Sequence, residues 1–96
     1  MKWSVALIWQ IEFDPAAFEE LSQLDRGVQR RILEVLRERI ANLEDPRSLG
    51  QALHGKELDR FWKYRIGDYR VICDIQDKVI RILVLRIGHR REVYRR

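Results

Sequence analysis

The chain begins with an alternation of apolar and polar positions that is typical of a β-strand. Apolar side chains recur at every second position from Val5 to Phe13, and Gln10 and Glu12 fall between them. A period of two places the apolar side chains on one face of a strand. The pattern therefore predicts a first strand, Val5–Phe13, with one well-buried face.

The next segment changes to helical spacing. Asp14-Pro15 predicts a helix start, because the carboxylate can cap free backbone amides and proline suits the first helical position. The first helix is short and is expected to end near residues 25–27. Three apolar residues are expected to line its buried face: Phe18, Leu21 and Leu24.

A second helix is predicted from apolar residues spaced three and four apart. These residues are Val28, Ile32, Val35, Leu36, Ile40 and Leu43. The helix should stop before Pro46, because proline cannot continue the hydrogen-bond ladder. The two helices then form a hairpin whose apolar stripe needs a sheet to cover it.

Strand signals return after a long polar segment. Asp45–Asp59 contains His54, Gly55 and Lys56, and we expect it to be a surface loop. Phe61–Ile66 and Tyr69–Ile75 are rich in aromatic and β-branched residues. They are separated by Gly67-Asp68, which is a two-residue hairpin signal.

A second turn and a third strand complete the predicted meander. Asp77-Lys78 is the expected turn, Val79–Ile87 the strand, and Gly88 its end. The prediction is therefore an α+β fold: an N-terminal strand, a two-helix hairpin and a three-stranded antiparallel meander, in the order β-α-α-β-β-β, within one mostly antiparallel sheet. With 96 residues, the chain suffices for one core, so residues 1–96 are expected to form a single domain.

Composition narrows the setting of the protein. The single cysteine, Cys73, cannot form an internal disulfide, and its apolar neighbours predict a buried strand position. A reducing cytoplasm fits this usage. The apolar run Val5–Trp9 is far shorter than the roughly 20 residues that span a bilayer, so we expect neither membrane insertion nor a targeting segment.

Positive charge is concentrated in the second half of the chain. Residues 1–54 contain seven Lys and Arg against nine Asp and Glu, a net charge of −2, whereas residues 55–96 contain twelve against six, a net of +6. Such a basic half indicates a polyanion, most often nucleic acid, because cations bound to phosphates release condensed counterions. The alternative is a charged surface that only keeps the protein in solution.

The predicted hairpin places part of this charge on one face. A tight turn at Gly67-Asp68 sets Arg65 opposite Arg70, with Lys63 on the same face. Like charges placed opposite each other destabilise a sheet by roughly 0.2 to 1 kcal/mol. An anion site explains this arrangement; alternatively, the side chains extend into water, with Asp68 and Asp74 reducing the repulsion. Gly88 is expected to turn the following basic segment towards the same face.

Five motifs follow one another along nearly the whole chain. They are Asp14-Pro15-Ala16, Asp45-Pro46-Arg47, Leu53-His54-Gly55, the hairpin Phe61–Ile72, and Ile87–Tyr94. In this order and spacing, they resemble the RelE branch of the RelE/ParE superfamily, the toxins of bacterial and archaeal toxin–antitoxin pairs.

The resemblance implies a ribosome-dependent endoribonuclease that enters the decoding site and cuts messenger RNA without a metal or other cofactor. In this chemistry a ribose 2′-hydroxyl attacks the adjacent phosphate, which gives a 2′,3′-cyclic phosphate and a 5′-hydroxyl. The implied partners are the ribosome with its messenger RNA and a RelB-like antitoxin, through which the pair would bind its own operator DNA. No membrane partner is implied.

The resemblance also assigns residues. The expected catalytic residues match or adjoin family positions: Lys63, Arg65, Arg70, His89, Arg90 and Tyr94. Four further basic residues are expected to bind RNA: Lys56, Arg60, Arg91 and Arg95. Arg70, on a central strand, suits a phosphate clamp that holds charge in the transition state. Tyr94 could instead stack on a base or orient the 2′-hydroxyl.

The acid and base roles stay open. Arginine, with a pKa above about 12, is a poor general base, so Arg65 is unsuited to this role where some relatives have lysine. Lys63, His89 and Tyr94 are candidates for the base. His89 and Arg90 are candidates for the acid, and histidine, with an ordinary pKa of about 6.5, is the better matched residue type.

Two other functions fit the same fold. A ParE-like poison of DNA gyrase has no nuclease chemistry and would be expected to lack the full basic set. A non-catalytic module would only hold RNA or an acidic partner on the basic face. Leu83, Leu85 and Ile87 would lie on that face and could dock the antitoxin, unless they belong to the core.

Overall fold

The computed structural model describes residues 8–55 and 60–89. Its five strands are β1 (Gln10–Phe13), β2 (Gln51–Ala52), β3 (Phe61–Ile66), β4 (Tyr69–Gln76) and β5 (Arg81–His89). Its helices are α1 (Pro15–Ser22) and α2 (Arg26–Glu34), and α2 continues as a π-helical segment, Val35–Ile40. Two short 3-10 turns follow later, Pro46–Ser48 and Asp77–Val79. Within these ranges no helix is long and apolar enough to cross a membrane.

The strands form one sheet in the order β1-β5-β4-β3-β2. β1 runs parallel to β5, and the other neighbours are antiparallel. The predicted α+β order is therefore confirmed. β2 was not predicted, because its two residues are too few to show an alternation; it lies in the segment expected to be loop and pairs with Trp62 and Lys63.

β1 begins later than the alternation predicts. The amide of Trp9 donates to the carbonyl of Ala41 at 2.9 Å, so Trp9 is bonded to the end of the helical segment, and strand pairing starts at Gln10. Trp9 is buried, as expected of that face. The predicted strand residues 5–7 lie outside the described ranges.

α1 begins where the sequence predicts. Asp14 is the N-cap, and its carboxylate accepts a hydrogen bond from the amide of Ala16 at 3.1 Å. The helix ends at Ser22, earlier than the expected residues 25–27. The expectation that Phe18 is buried is wrong: its side chain is 61% exposed, because the four-residue spacing of buried Ala17 and Leu21 sets the inward face.

The second helix buries the predicted stripe. Ile32, Leu36 and Ile40 are almost fully buried. From Val35 the helix widens, and the amide of Ala41 donates to the carbonyl of Leu36, five residues back, at 2.8 Å. The helical segment ends at Ile40, before Pro46 as predicted, but the prediction that Leu43 lies on the helix is wrong.

The helix-facing side of the sheet is the core face that the hairpin register predicts. Its buried residues are Tyr64, Ile66, Val71, Cys73, Ile75, Ile82 and Val84. Complete burial raises the pKa of the Cys73 thiol above its ordinary value, because the apolar interior disfavours the thiolate. Cys73 is therefore a packing residue, not a reactive one.

The turn between β4 and β5 is longer than the predicted Asp77-Lys78 turn. Ile80 closes it in a left-handed conformation, with φ of 51°, and its amide donates to the carbonyl of Asp77 at 3.3 Å. The strand therefore starts at Arg81 and not at Val79. Left-handed conformations are rare for β-branched residues, and no sequence pattern indicates one here.

A β-bulge changes the face of the sheet to which part of β5 points, relative to the prediction. Ile72 pairs with Arg86, but Cys73 pairs with Val84, so Leu85 has no opposite residue. The extra residue reverses the alternation beyond it. Ile87 is consequently 2% exposed in the core, so the core alternative is confirmed for this residue and its placement on the basic face with Leu83 and Leu85 is wrong.

β1 pairs with β5 only as far as Val84, and α1 covers the edge of β5 after that residue. One carboxylate oxygen of Glu20 accepts from the amide of Ile87 at 2.7 Å, and the other accepts from Nε of Arg86 at 3.0 Å. The side chain thereby satisfies an edge amide that β1 does not reach.

We expect Glu20→Gln to destabilise the fold by about 1 kcal/mol, because the amide has one acceptor oxygen where the carboxylate has two, and the ion pair with Arg86 is lost. Urea unfolding measures the change in the free energy of unfolding, and hydrogen exchange of the Ile87 amide should accelerate. Glu19→Gln is the control, since among the described residues the Glu19 carboxylate accepts a hydrogen bond only from Gln23, at a long 3.3 Å. Equal stability of the two variants would contradict the role of Glu20.

Candidate functional site

The tight turn between β3 and β4 places three cationic side chains on one face. Gly67 adopts φ of 61°, and the register sets Arg65 opposite Arg70 and Lys63 opposite Ile72. This is the register that the sequence predicts. The face is the one turned away from the buried helix-facing residues, and it presents an exposed Arg65 beside half-buried Lys63 and Arg70.

The same cations line a groove of about 410 Å³ at the outer edge of β3, called here the β3 groove. Four of its lining residues are basic: Arg39, Lys63, Arg65 and Arg70. No carboxylate is among the lining residues in the described parts of the chain. Such a concentration of one charge in a concave site favours an anionic ligand.

The wall of the β3 groove is set by Gly50. Its φ of 79° is left-handed, and a Cβ at this position would collide with the carbonyl oxygen of Lys63 and lie 2.7 Å from Nε1 of Trp62. That Trp62 nitrogen donates to the carbonyl of Leu49 at 2.6 Å. Glycine thus allows the Leu49–Gln51 backbone to pack directly against β3.

The residues before Gly50 are fixed to the sheet by two further contacts. The Tyr64 hydroxyl donates to the carbonyl of Pro46 at 2.8 Å, and burial raises the pKa of this hydroxyl above its ordinary value, which keeps it a donor. The Arg47 guanidinium holds both carboxylate oxygens of Asp77, at 3.0 and 2.8 Å. This bidentate bond lowers the pKa of Asp77 and raises that of Arg47.

A second groove, of about 630 Å³, runs along the outer face of α2 and has a different charge pattern. Arg26, Arg30 and Arg37 line it together with Glu34 and Glu38. The carboxylates compensate most of the positive charge locally. The β3 groove, although smaller, is therefore the better anion site.

His89 lies on the other side of the sheet from Arg70. It pairs with Tyr69, and the two rings meet edge to face with centroids 5.8 Å apart. Gly88 does not end the strand as predicted; it remains in β5 opposite Arg70, where it contributes no side chain. The strand continues because Gly88 keeps its ladder pairing, so His89 follows the alternation to the face of Tyr69.

Among the described residues, Arg60 does not line the β3 groove. Arg60 is exposed, and its guanidinium carbon lies 4.7 Å from the centre of the Phe61 ring. Five predicted site residues lie outside the described ranges: Lys56, Arg90, Arg91, Tyr94 and Arg95.

Two lining residues of the β3 groove were missed from the sequence. Arg39 lies in the π-helical segment, where the spacing of residues around the axis departs from the regular helix that the sequence pattern assumes. Gln51 lies in the two-residue strand β2. Neither position carries a periodic signal that could have revealed it.

The arrangement suits phosphate chemistry. Arg65 and Arg70 can hold phosphate oxygens and stabilise the charge that develops on them. Among the lining residues that the structure describes, Lys63 is the one whose neutral form could accept a proton from a hydroxyl.

Known proteins share both the sequence pattern and the fold. Residues 11–94 match the family model described as the ParE toxin of the type II toxin–antitoxin system parDE. The toxin–antitoxin complex RelBE2 from Mycobacterium tuberculosis aligns with a TM-score of 0.78 and 23% identity, covering 86% of this chain and 92% of that one. The archaeal RelE–RelB complex from Pyrococcus horikoshii aligns with a TM-score of 0.66 and 26% identity, covering 88% of this chain and 98% of that one. No curated protein sequence gives a significant match.

We expect Gly50→Ala to lower the free energy of unfolding by at least about 1 kcal/mol, because the methyl group meets β3 backbone and the φ is left-handed. Gly27→Ala is the matched control: its Cβ would have only one neighbour, Asp25 at 3.9 Å, so alanine should be neutral or stabilising in α2. Chemical denaturation of both variants tests this. A Gly50→Ala variant as stable as wild type would contradict the close packing of Gly50 against β3.

The Arg47–Asp77 contact predicts a pH-dependent contribution to stability. Because the folded pKa of Asp77 is lowered, its contribution is complete above the ordinary aspartate pKa of about 3.9 and is lost as pH falls through the lower folded value. The stability difference between wild type and Asp77→Asn should therefore be greatest at neutral pH, at most about 1 kcal/mol for so exposed a pair, and should shrink in acid. Thermal unfolding across this pH range measures it, and a pH-independent difference would contradict the assignment.

Proposed function

We propose that this chain, which belongs to the ParE toxin family of type II toxin–antitoxin systems and has a fold similar to that of RelE toxins, is an endoribonuclease that cleaves messenger RNA. One observation carries the proposal. Arg65 stands directly opposite Arg70, beside Lys63, in a groove without a carboxylate among its described lining residues. Because opposed like charges weaken a sheet, a polyanionic ligand gives the best account of why they are placed together.

The proposed reaction transfers a phosphate within the RNA strand. The 2′-oxygen forms a bond to phosphorus while the bond from phosphorus to the 5′-oxygen breaks, which leaves a 2′,3′-cyclic phosphate and a 5′-hydroxyl. Arg70 and Arg65 hold the phosphate oxygens and stabilise the added charge. Lys63, in its neutral form, is the candidate in the groove to receive the 2′-hydroxyl proton, with His89 and Tyr94 as alternatives.

The 5′-oxygen needs a proton as it leaves. His89 and Arg90 stay the candidates for this role, and Tyr94 could stack on a base or orient the 2′-hydroxyl. The position of His89 on the Tyr69 side of the sheet favours Arg90 over His89, because a proton donor must lie within hydrogen-bond reach of the leaving oxygen.

The proposed setting is the ribosome, where the toxin would cut messenger RNA in the decoding site and stop translation. Lys56, Arg60, Arg91 and Arg95 are proposed to bind RNA around the β3 groove. A RelB-like antitoxin is the proposed partner, since the similar solved structures include complexes of RelE with RelB. The proposal needs no metal or other cofactor, so cleavage should persist in EDTA.

A second candidate function is inhibition of DNA gyrase without nuclease activity. The matching family model is described as ParE, and the structure puts His89 on the opposite face from Arg70. Both observations fit a toxin that uses this fold for binding alone.

We expect Arg70→Ala to reduce cleavage of ribosome-bound messenger RNA by about 100-fold or more, because a transition-state charge stabiliser is lost. Primer extension on ribosomes programmed with messenger RNA measures the cuts, with EDTA present in a parallel reaction. The control is Arg81→Ala, since Arg81 pairs with Glu12 at 3.6 Å and does not line the β3 groove.

Wild-type protein that leaves messenger RNA intact but blocks DNA supercoiling by gyrase would instead establish the second function. Equal cleavage by Arg70→Ala and Arg81→Ala would reject Arg70 as the phosphate clamp.

A further inference from the structure

The β3 groove has two chemically different walls. The cations Lys63, Arg65 and Arg70 come from the sheet, and Arg39 comes from the π-helical segment. Four apolar residues also line the groove: Val35, Ile40, Leu49 and Ile66. Of these, Leu49 is 40% exposed, so part of the apolar wall is open to a ligand.

This combination fits one nucleotide unit better than a bare anion. A bare phosphate needs cations only, whereas an unpaired base also needs an apolar surface on which its flat ring can lie. Gln51, which lines the same groove, offers both a donor and an acceptor to the edge of a base.

We propose that the β3 groove is a subsite for one unstacked base of single-stranded RNA, in which Arg39 binds the phosphate next to the one that is cleaved. Leu49 contacts the base and Gln51 reads its edge. The inference rests on the proposed function, because it takes the phosphate held by Arg65 and Arg70 to be the reacting one. It assigns Arg39 and Gln51 to substrate binding.

The fixed geometry of the wall favours this occupant over an acidic peptide. The Trp62 hydrogen bond to the Leu49 carbonyl holds this segment against β3. At Gly50 the two backbones pack so closely that a Cβ would not fit between them. A rigid slot of about 410 Å³ matches a small flat group, whereas a peptide segment would extend well beyond it.

Arg39→Ala tests the phosphate contact, with Arg37→Ala as its control. Both residues lie on the same helical segment and carry the same charge, but Arg37 lines the α2 groove. The probe is a short fluorescent single-stranded RNA, and its anisotropy gives the dissociation constant at several salt concentrations. We expect Arg39→Ala to bind about tenfold more weakly and to lower the slope of log affinity against log salt by about 0.7. Arg37→Ala should match wild type.

Gln51→Leu tests the reading of the base. With oligomers of A, C, G and U compared in turn, wild type should prefer one base, and the variant should lose most of that preference while its salt slope stays unchanged. A preference that survives in Gln51→Leu would overturn the assignment of Gln51. Circular dichroism confirms that each variant is folded.

The outcomes separate this inference from the proposed function. One outcome is that wild type binds RNA, that Arg70→Ala loses this binding, and that Arg39→Ala behaves like Arg37→Ala. In that case the subsite is wrong and the proposed function stands. If wild type neither binds RNA nor cleaves messenger RNA on programmed ribosomes, but binds a glutamate-rich peptide that Arg39→Ala weakens, both are wrong.

Discussion

The two-residue turn at Gly67-Asp68 is the constraint on which the candidate site depends. Because Gly67 adopts a left-handed conformation, β4 returns in a single register, and that register sets Arg65 opposite Arg70. A shift by one residue would send these side chains to the helix side and bring Tyr64 and Val71 into water. Burial of the core face therefore also enforces the clustering of charge on the other face.

The repulsion in this cluster is offset by packing and hydrogen bonds elsewhere. Tyr64 and Val71, in the same strands as the arginines, are buried against the helices. The Tyr64 hydroxyl and the Trp62 ring also hold the Pro46–Gly50 segment. One face of the hairpin thus secures the fold, and the opposite face can hold a cluster of like charges.

The sequence predicts the features that depend on local patterns. The cap at Asp14, the stripe of α2 and the hairpin register are all confirmed, because each follows from spacing or turn chemistry. The bulge at Leu85 and the π-helical segment at Val35–Ile40 were missed, since both insert an irregularity into an otherwise regular pattern. The bulge reverses the face to which Ile87 and His89 point, so the predicted faces of these residues are wrong. The π-helical segment carries Arg39, whose place in the groove the regular helical pattern does not predict.

The proposed function requires RNA to bind to the Lys63, Arg65 and Arg70 face and not to the larger groove on α2. Ultraviolet crosslinking of the protein to single-stranded RNA, followed by mass spectrometry of the peptides, tests this directly. We expect crosslinks within residues 49–51 and 61–72. Crosslinks confined to the segment that carries Arg26, Arg30 and Arg37 would contradict it.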